Sequence, residues 1–103
     1  MSLLKKLFGG TSVNFAELVK QGAMIIDVRS PAEYKGGHIK GSVNIPLDEL
    51  PKKIADLQEK QQPVITVCRS GNRSNIGMNF LHQQGLKEVY NGGGLSDMLY
   101  YQK

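Results

Sequence analysis

Residues 64–74 read VITVCRSGNRS, and this stretch decides the class of fold that the sequence predicts. The run 64–67 is continuously apolar and β-branched, which is typical of a strand buried on both faces. A short loop of small, polar and basic residues follows at once. A helix over 74–84 then places Ile76, Phe80 and Leu81 on its inward face. Strand, loop and helix in this order indicate an α/β fold with a largely parallel sheet.

The same alternation of strands and helices extends to both sides of this stretch. Thr11 or Ser12 can cap a first helix, and Ser30 with Glu33 forms a capping box around Pro31 at the start of another. The predicted elements are helix 11–21, strand 24–28, a short helix from 31, strand 42–45, helix 47–61, strand 64–67, helix 74–84, strand 89–90, a turn over 91–94 and a closing helix 95–101. With 103 residues, the chain fits one domain over 11–103, preceded by a lead-in over 1–10.

Composition excludes several classes of function. Thirteen basic and nine acidic residues give a net charge of +4, but the basic residues are scattered, so no nucleic-acid partner is expected. No stretch approaches the ~20 apolar residues of a membrane span, and the start lacks a signal-peptide core, so a cytoplasmic protein is expected. One cysteine builds neither an internal disulfide nor a cysteine-rich metal site. We expect no metal, no cofactor and a monomer.

The cysteine, Cys68, stands where a strand runs into a helix, and its surroundings favour a reactive thiolate. Ligand sites in open parallel sheets lie at the carboxyl ends of strands. Successive N–H groups of a tight loop, the start of the next helix and the charges of Arg69 and Arg73 all stabilise an anion there. Thiolate is the nucleophilic form of cysteine. Taken without these neighbours, a cysteine that ends a buried strand is more often an inert core residue.

Three segments together resemble the rhodanese-type sulfurtransferases. The segment Cys68–Ser74 resembles their active-site loop. A second series resembles their N-terminal signature, and a third resembles the turn after their last strand. The second series consists of Asp27-Val28-Arg29, Glu33-Tyr34, Gly37-His38-Ile39, Gly41-Ser42 and Asn44-Ile45-Pro46. The third segment is Asn91-Gly92-Gly93. The chain departs from the family in having no tryptophan near this glycine pair, which we expect to alter packing rather than remove activity.

The resemblance implies a three-layer rhodanese-like α/β fold, with a central parallel sheet flanked by helices. It also implies that Cys68 is catalytic and carries sulfur as a persulfide. The donor would be thiosulfate, a polysulfide or a persulfide. The acceptor would be cyanide or a thiol, for instance a thioredoxin-like protein, a low-molecular-weight thiol such as glutathione, or a sulfur-carrier protein.

The resemblance also assigns roles around the cysteine. Backbone N–H groups of the loop would hold the persulfide, and Arg69 and Arg73 would attract an anionic donor. Ser70, Asn72 and Ser74 would shape the loop, with Ser74 capping the helix. The full sets are Arg69, Ser70, Gly71, Asn72, Arg73 and Ser74 for substrate binding, and Asp27, Arg29, Glu33 and His38 for structural support.

Two alternatives remain open from the sequence. A cysteine-based phosphatase or arsenate reductase would resemble a Cys-to-Arg cradle with five intervening residues, whereas only four separate Cys68 from Arg73. A non-catalytic binding module of the same fold is the second, although such modules typically lack the cysteine.

Overall fold

The computed structural model of the protein describes residues 13–96. The elements run in the order α1 (Phe15–Lys20), β1 (Met24–Asp27), α2 (Pro31–Lys35), β2 (Val43–Asn44), a 3-10 helix (Leu47–Lys53), α3 (Ile54–Lys60), β3 (Val64–Cys68), α4 (Asn72–Gln83) and β4 (Val89–Gly94). The lead-in over 1–10, the caps Thr11 and Ser12, and most of the closing helix lie outside the described residues. In this part of the chain no helix is long and apolar enough to cross a bilayer.

The four strands form one parallel sheet in the order β2-β1-β3-β4. The strand over 64–68 is therefore central, with β1 on one side and β4 on the other. Thr66 lies opposite Ile26 on β1 and opposite Asn91 on β4. Because all strands are parallel, their carboxyl ends meet at one edge of the sheet, where ligand sites of such folds lie.

Helices cover both faces of the sheet, and alternate residues of β3 feed the two cores. Ile65 and Val67 lie in a cluster with Ile25 and Ile39, against which Phe15 and Leu18 of α1 pack. The other face carries the larger cluster, formed by Ile26, Val28, Ile45, Leu50, Leu57, Val64, Cys68, Leu81 and Val89. This arrangement confirms the predicted three-layer α/β fold, and it places Cys68 on the face that α4 covers.

Several predicted helices begin elsewhere than expected. Helix α1 starts at Phe15, and its cap is Asn14, whose side chain accepts a hydrogen bond from the N–H of Glu17 at 3.0 Å. The prediction of a helix over 47–61 is wrong for its first half. Pro51 lies inside a 3-10 helix, and the α-helix begins only at Ile54. Proline lacks the N–H that continues an α-helix, which accounts for the division. The capping box of Ser30 and Glu33 is confirmed.

Two further differences concern the neighbourhood of Cys68. Helix α4 begins at Asn72 rather than at Ser74, directly after Gly71 in a left-handed conformation. Ile76 is 55% exposed instead of inward, because Gly77 and Leu81 form the buried stripe of this helix. Residues 91–94 are not a turn but the last four residues of β4, with a register shift opposite Thr66 and Val67.

Candidate active site

Cys68 is the last residue of β3 and lies at the carboxyl edge of the sheet. Its side chain is almost fully buried, at 1% exposure, so the sulfur is enclosed by protein rather than by water. Burial alone makes a thiolate unfavourable. The surroundings of the sulfur therefore decide whether this cysteine is inert.

Hydrogen-bond donors from the loop and from α4 surround the sulfur. The N–H of Gly71 lies 3.0 Å from Sγ, and the N–H of Ser74 lies 3.3 Å from it. Burial raises the pKa of the Cys68 thiol, but hydrogen bonds from the Ser74 hydroxyl and from the N–H groups of Ser74, Gly71 and Ser70 outweigh it and leave the pKa below its usual 9.0. The site thus stabilises the thiolate more than an ordinary cysteine site does, and the dipole of helix α4, whose first turn lies beside the sulfur, acts in the same direction.

The conformation of Gly71 makes this arrangement possible. Its φ of +102° lies in the region that side chains disfavour, and it turns the chain from the loop into α4. The family resemblance places Gly71 among the substrate-binding residues, and in the structure its N–H is one of the donors to the Cys68 sulfur.

The expectation that Ser74 caps the helix is wrong. Helix α4 has no side-chain cap, and Ser74 lies inside its first turn, fully buried. Its hydroxyl contacts Cys68 Sγ at 3.4 Å and Asn91 Oδ1 at 2.6 Å. Helix α4 begins two residues earlier than predicted, at Asn72, and the side chain of Ser74 therefore points toward the sulfur.

Arg69 in the loop and Arg73 in the first turn of α4 differ in their surroundings. Arg73 forms a two-pronged ion pair with Glu33, at 2.8 and 3.0 Å, so its charge is largely compensated. Arg69 is exposed and lies at the edge of a cleft, where it can meet a solute. Of the two, Arg69 is thus the better placed to attract an anion. Ser70 is exposed on the loop, and Asn72 is exposed at the first position of α4.

The ion pair of Glu33 with Arg73 predicts a pH-dependent stability. The guanidinium of Arg73, aided by the N–H of Ser30, lowers the pKa of Glu33 from 4.5 to about 2. A carboxyl with a lowered folded-state pKa stabilises the fold above its unfolded pKa, and the effect is lost as pH falls from 4.5 through about 2. We expect Glu33→Gln to lower the urea midpoint near neutral pH, with the difference from wild type shrinking through that range.

The matched control is Glu59→Gln, which neutralises an exposed carboxylate on α3. It is expected to leave the urea midpoint nearly unchanged at both ends of the range. A Glu33→Gln deficit that stays constant from neutral to acid pH would show that the ionised pair is not its cause.

Asp27 and Arg29 form a buried support at the end of β1. Arg29 Nε lies 2.9 Å from Asp27 Oδ1, and its terminal nitrogen lies 2.8 Å from Oδ2 and 2.7 Å from the carbonyl oxygen of Gly37. Asn44, which the sequence did not single out for a role, donates to the carbonyl oxygens of both residues at 3.0 Å. These contacts tie β1 to β2 and to the segment after α2.

His38 has a structural setting. Its ring stacks on Tyr34 with centroids 3.7 Å apart, and Nδ1 lies 2.8 Å from the carbonyl oxygen of Tyr34. It also lines the cleft that Arg69 borders, which has a volume of about 600 Å³. The other lining residues are Arg29, Ala32, Glu33, Gly36, Gly37, Ile39 and Leu95. The cleft therefore joins the loop of Cys68 to the segment that carries the second family signature.

Two residues that matter for the site were not predicted as such. Asn91 contacts Ser74 and the carbonyl oxygen of Gly71, and Gly94 approaches Arg69 so closely that a Cβ there would lie 2.6 Å from its carbonyl oxygen. The glycine run 92–94 carried a signal for close backbone approach, whereas nothing in the sequence pointed from Asn91 to Ser74. Within residues 13–96, no group of three or more His, Cys, Asp or Glu residues could hold a metal ion.

Known proteins resemble this chain in both sequence and structure. The family model of the rhodanese-like domain matches residues 11–97. The thiosulfate sulfurtransferase PspE of Escherichia coli is 38% identical over 74 residues, which are 71% of each chain. The putative sulfur carrier protein YrkF of Bacillus subtilis is 40% identical over 67 residues, 65% of this chain and only 36% of YrkF.

A solved structure agrees with these sequence matches. The structure described as a rhodanese with anions from E. coli superposes with a TM-score of 0.68 at 35% identity, covering 74% of this chain and 91% of that one. The sequence match, the four-stranded parallel sheet and the cysteine at its carboxyl edge agree, and the chain belongs to the rhodanese-like domain family.

Proposed function

We propose that the protein is a sulfurtransferase that carries sulfane sulfur as a persulfide on Cys68. The observation that carries the proposal is the enclosure of Sγ by the N–H groups of Gly71 and Ser74 at 3.0 and 3.3 Å, together with the lowered pKa of the thiol. A buried cysteine with no chemical role needs no such set of donors. The name of the relative PspE, a thiosulfate sulfurtransferase, supports the same reaction class.

The reaction proceeds in two displacements at sulfur. The Cys68 thiolate attacks the outer sulfur of thiosulfate, a new S–S bond forms, and sulfite leaves with the electron pair of the broken bond. An acceptor nucleophile, cyanide or a thiolate, then attacks the outer sulfur of the persulfide. Thiocyanate or a new persulfide leaves, and the Cys68 thiolate is restored. Neither step requires an oxidant or a proton donor beyond water, and the N–H groups that surround the sulfur stabilise each anion.

The anionic donor is recruited by Arg69. Arg69, the residue after Cys68, is exposed and borders the cleft, while the charge of Arg73 is largely compensated by Glu33. The solved E. coli relative is described as a rhodanese with anions, which supports an affinity of this site for anions. A single cation at the mouth of a pocket raises the local concentration of a small anion, and salt screens the effect.

Removal of this cation is expected to weaken donor capture. Arg69→Gln should raise the KM for thiosulfate about three- to tenfold at low ionic strength, with a much smaller effect on kcat, and the difference should fade as salt is added. The measurement is steady-state transfer from thiosulfate to cyanide at two ionic strengths.

Lys87→Gln is the matched control, since it removes one positive charge from an exposed residue just before β4, at the opposite edge of the sheet. It should leave KM unchanged. If both variants raise KM equally, net charge rather than Arg69 attracts the donor.

The acceptor is proposed at the level of its chemistry. A small thiol, or the exposed end of a sulfur-carrier protein, matches the size of the cleft of about 600 Å³ that Arg69 borders. The name of the relative YrkF, a putative sulfur carrier, is consistent with a role in passing sulfur on rather than releasing it. Cyanide serves as the assay acceptor.

The test of the proposal is the pattern of initial rates with thiosulfate and cyanide both varied. A covalent carrier gives parallel lines in double-reciprocal plots, because the first product leaves before the acceptor binds. Intersecting lines would mean that donor and acceptor react within one complex, and no persulfide carrier would be needed. If sulfur transfer with the protein is no faster than without it, the proposal is wrong, and the alternative of a non-catalytic binding module of the same fold replaces it.

A further inference from the structure

Three hydrogen-bond acceptors lie near the hydroxyl of Ser74, which has a single hydrogen to donate. Ser74 Oγ is 2.6 Å from Asn91 Oδ1, 3.0 Å from the carbonyl oxygen of Gly71 and 3.4 Å from Cys68 Sγ. A hydroxyl has one hydrogen and donates one strong hydrogen bond at a time. The acceptors therefore compete, and the shortest contact, the one to Asn91, holds the hydrogen while Cys68 is a thiol.

The orientation of the Asn91 amide is fixed by its two backbone partners. Oδ1 accepts from the N–H of Gly93 at 2.9 Å, and Nδ2 donates to the carbonyl oxygen of Gly71 at 3.3 Å. With the amide reversed, a donor would face a donor and an acceptor would face an acceptor. Oδ1 is thus the atom that faces Ser74, and it can only accept.

This network treats the two states of Cys68 unequally. In the neutral state a complete chain forms, because the S–H donates to Ser74 Oγ and the Ser74 hydroxyl donates to Asn91 Oδ1. In the thiolate state the sulfur has no hydrogen, and the same hydroxyl orientation directs an oxygen lone pair at a negative charge. The hydroxyl must then turn from Asn91 to the sulfur. Formation of the thiolate therefore costs the hydrogen bond between the Ser74 hydroxyl and Asn91 Oδ1, so Asn91 raises the free energy of the thiolate relative to the thiol.

We infer that Asn91 is a positioning residue that sets the direction of the Ser74 hydroxyl and, through it, the balance between the thiol and thiolate forms of Cys68. The inference deepens the proposed function and rests on it, since that function uses the thiolate. Asn91 itself does not contact the reacting sulfur. Its effect passes through one hydroxyl group on α4, reached from the neighbouring strand β4.

Other groups near the sulfur do not set the direction in which the Ser74 hydroxyl points. Arg73, on α4, interacts electrostatically with Cys68, and Glu33 on α2 pairs with it at 2.8 Å. The loop presents N–H groups, whose direction is fixed by the backbone. The carbonyl oxygen of Gly71 is a weaker acceptor for the Ser74 hydroxyl, because it already accepts a hydrogen bond from the N–H of Asn75 at 3.1 Å. Without Asn91, the negative sulfur becomes the strongest acceptor in reach of Ser74.

The experiment measures the rate of Cys68 alkylation by iodoacetamide as a function of pH. Four proteins are compared: wild type, Asn91→Ala, Ser74→Ala and the double variant. We expect Asn91→Ala to move the midpoint of the pH profile downward by about one pH unit, a tenfold gain in the thiolate-to-thiol ratio, which is the size expected for one hydrogen bond to a charged group. In the Ser74→Ala background the same substitution should move the midpoint by much less.

The coupling between the two positions is the decisive quantity. If Asn91→Ala leaves the midpoint in place, or moves it equally with and without Ser74, then Asn91 does not act through the hydroxyl and the inference is overturned. A role confined to holding β4 against the loop would lower the thermal stability without this coupling.

A second variant covers the case in which Asn91→Ala does not fold. Asn91→Asp keeps an acceptor for Ser74 and for Gly93 and strengthens it, so the midpoint should rise, and by more in the protein that retains Ser74. Equal rises in both backgrounds would reflect added charge alone and would overturn the inference. Alkylation does not require sulfur transfer, so this test gives its answer even if the protein proves not to transfer sulfur.

Discussion

Replacement of Cys68 by serine is expected to reduce sulfur transfer from thiosulfate to cyanide to the rate measured without protein. Serine is close to cysteine in size, and its oxygen can accept the same N–H groups of Gly71 and Ser74. The hydroxyl stays protonated near neutral pH and is a poor nucleophile toward sulfur, so the loss should be at least about a thousandfold. The measurement is the initial rate of thiocyanate formation.

The variant should remain folded, which separates chemistry from structure. Its thermal midpoint should stay within a few degrees of wild type, because one buried sulfur is exchanged for a smaller atom in a site rich in donors. Cys68 is the chain's single cysteine, so no second thiol can take over. Retention of a substantial fraction of the rate by the folded variant would remove Cys68 from the mechanism.

Gly94→Ala is expected to disable the site without touching a reacting group. Gly94 ends β4 beside Cys68 in the register of the sheet, and a methyl group there would lie 2.6 Å from the carbonyl oxygen of Arg69 and 3.6 Å from the Cα of Ser70. Both partners are backbone, so the loop must move. A displacement of the order of 1 Å in such a site costs about a hundredfold in rate, and the overpacking costs about 1–3 kcal/mol in stability. The measurements are kcat/KM for thiosulfate and the urea midpoint.

Gly77→Ala provides the matched control for this substitution. Its new methyl group would meet Leu50 Cδ1 at 3.3 Å and Leu47 Cδ1 at 3.4 Å, which are ends of side chains that can shift. Helix α4 gains about 1 kcal/mol from alanine in place of glycine, which offsets the tighter contact. We expect near-normal activity and stability. Normal activity in Gly94→Ala would show that the loop tolerates displacement and that its close fit to β4 is not required.

The sequence predicted the fold well because its strongest signals are local. The β-branched apolar run 64–67 predicted a buried strand, and the capping box at Ser30 and Glu33 predicted the start of α2; both are confirmed. The errors also have local causes. Pro51 divides one predicted helix into a 3-10 helix and an α-helix. Strand β4 continues past the register shift at Thr66 and Val67 through glycines that resemble a turn.

The site was predicted only as far as the order of residues along the chain allows. Cys68, Gly71 and the two arginines lie within six consecutive residues, 68–73, so their proximity needed no tertiary information. The pairing of Arg73 with Glu33 joins residues 40 positions apart, and the contact of Asn91 with Ser74 crosses from β4 to α4. Such contacts follow from the packing of elements, and a single sequence does not specify them. These contacts also change the predicted roles of two residues. The charge of Arg73 is largely compensated by Glu33, and Ser74 faces the sulfur instead of capping the helix.

The most direct test of the central claim is the intact mass of the protein after brief exposure to thiosulfate. Wild type is predicted to gain the mass of one sulfur atom and to lose it again on addition of cyanide or dithiothreitol, whereas Cys68→Ser should gain none. A gain of the same mass by Cys68→Ser, or no gain by wild type from either thiosulfate or polysulfide, would contradict the persulfide on Cys68.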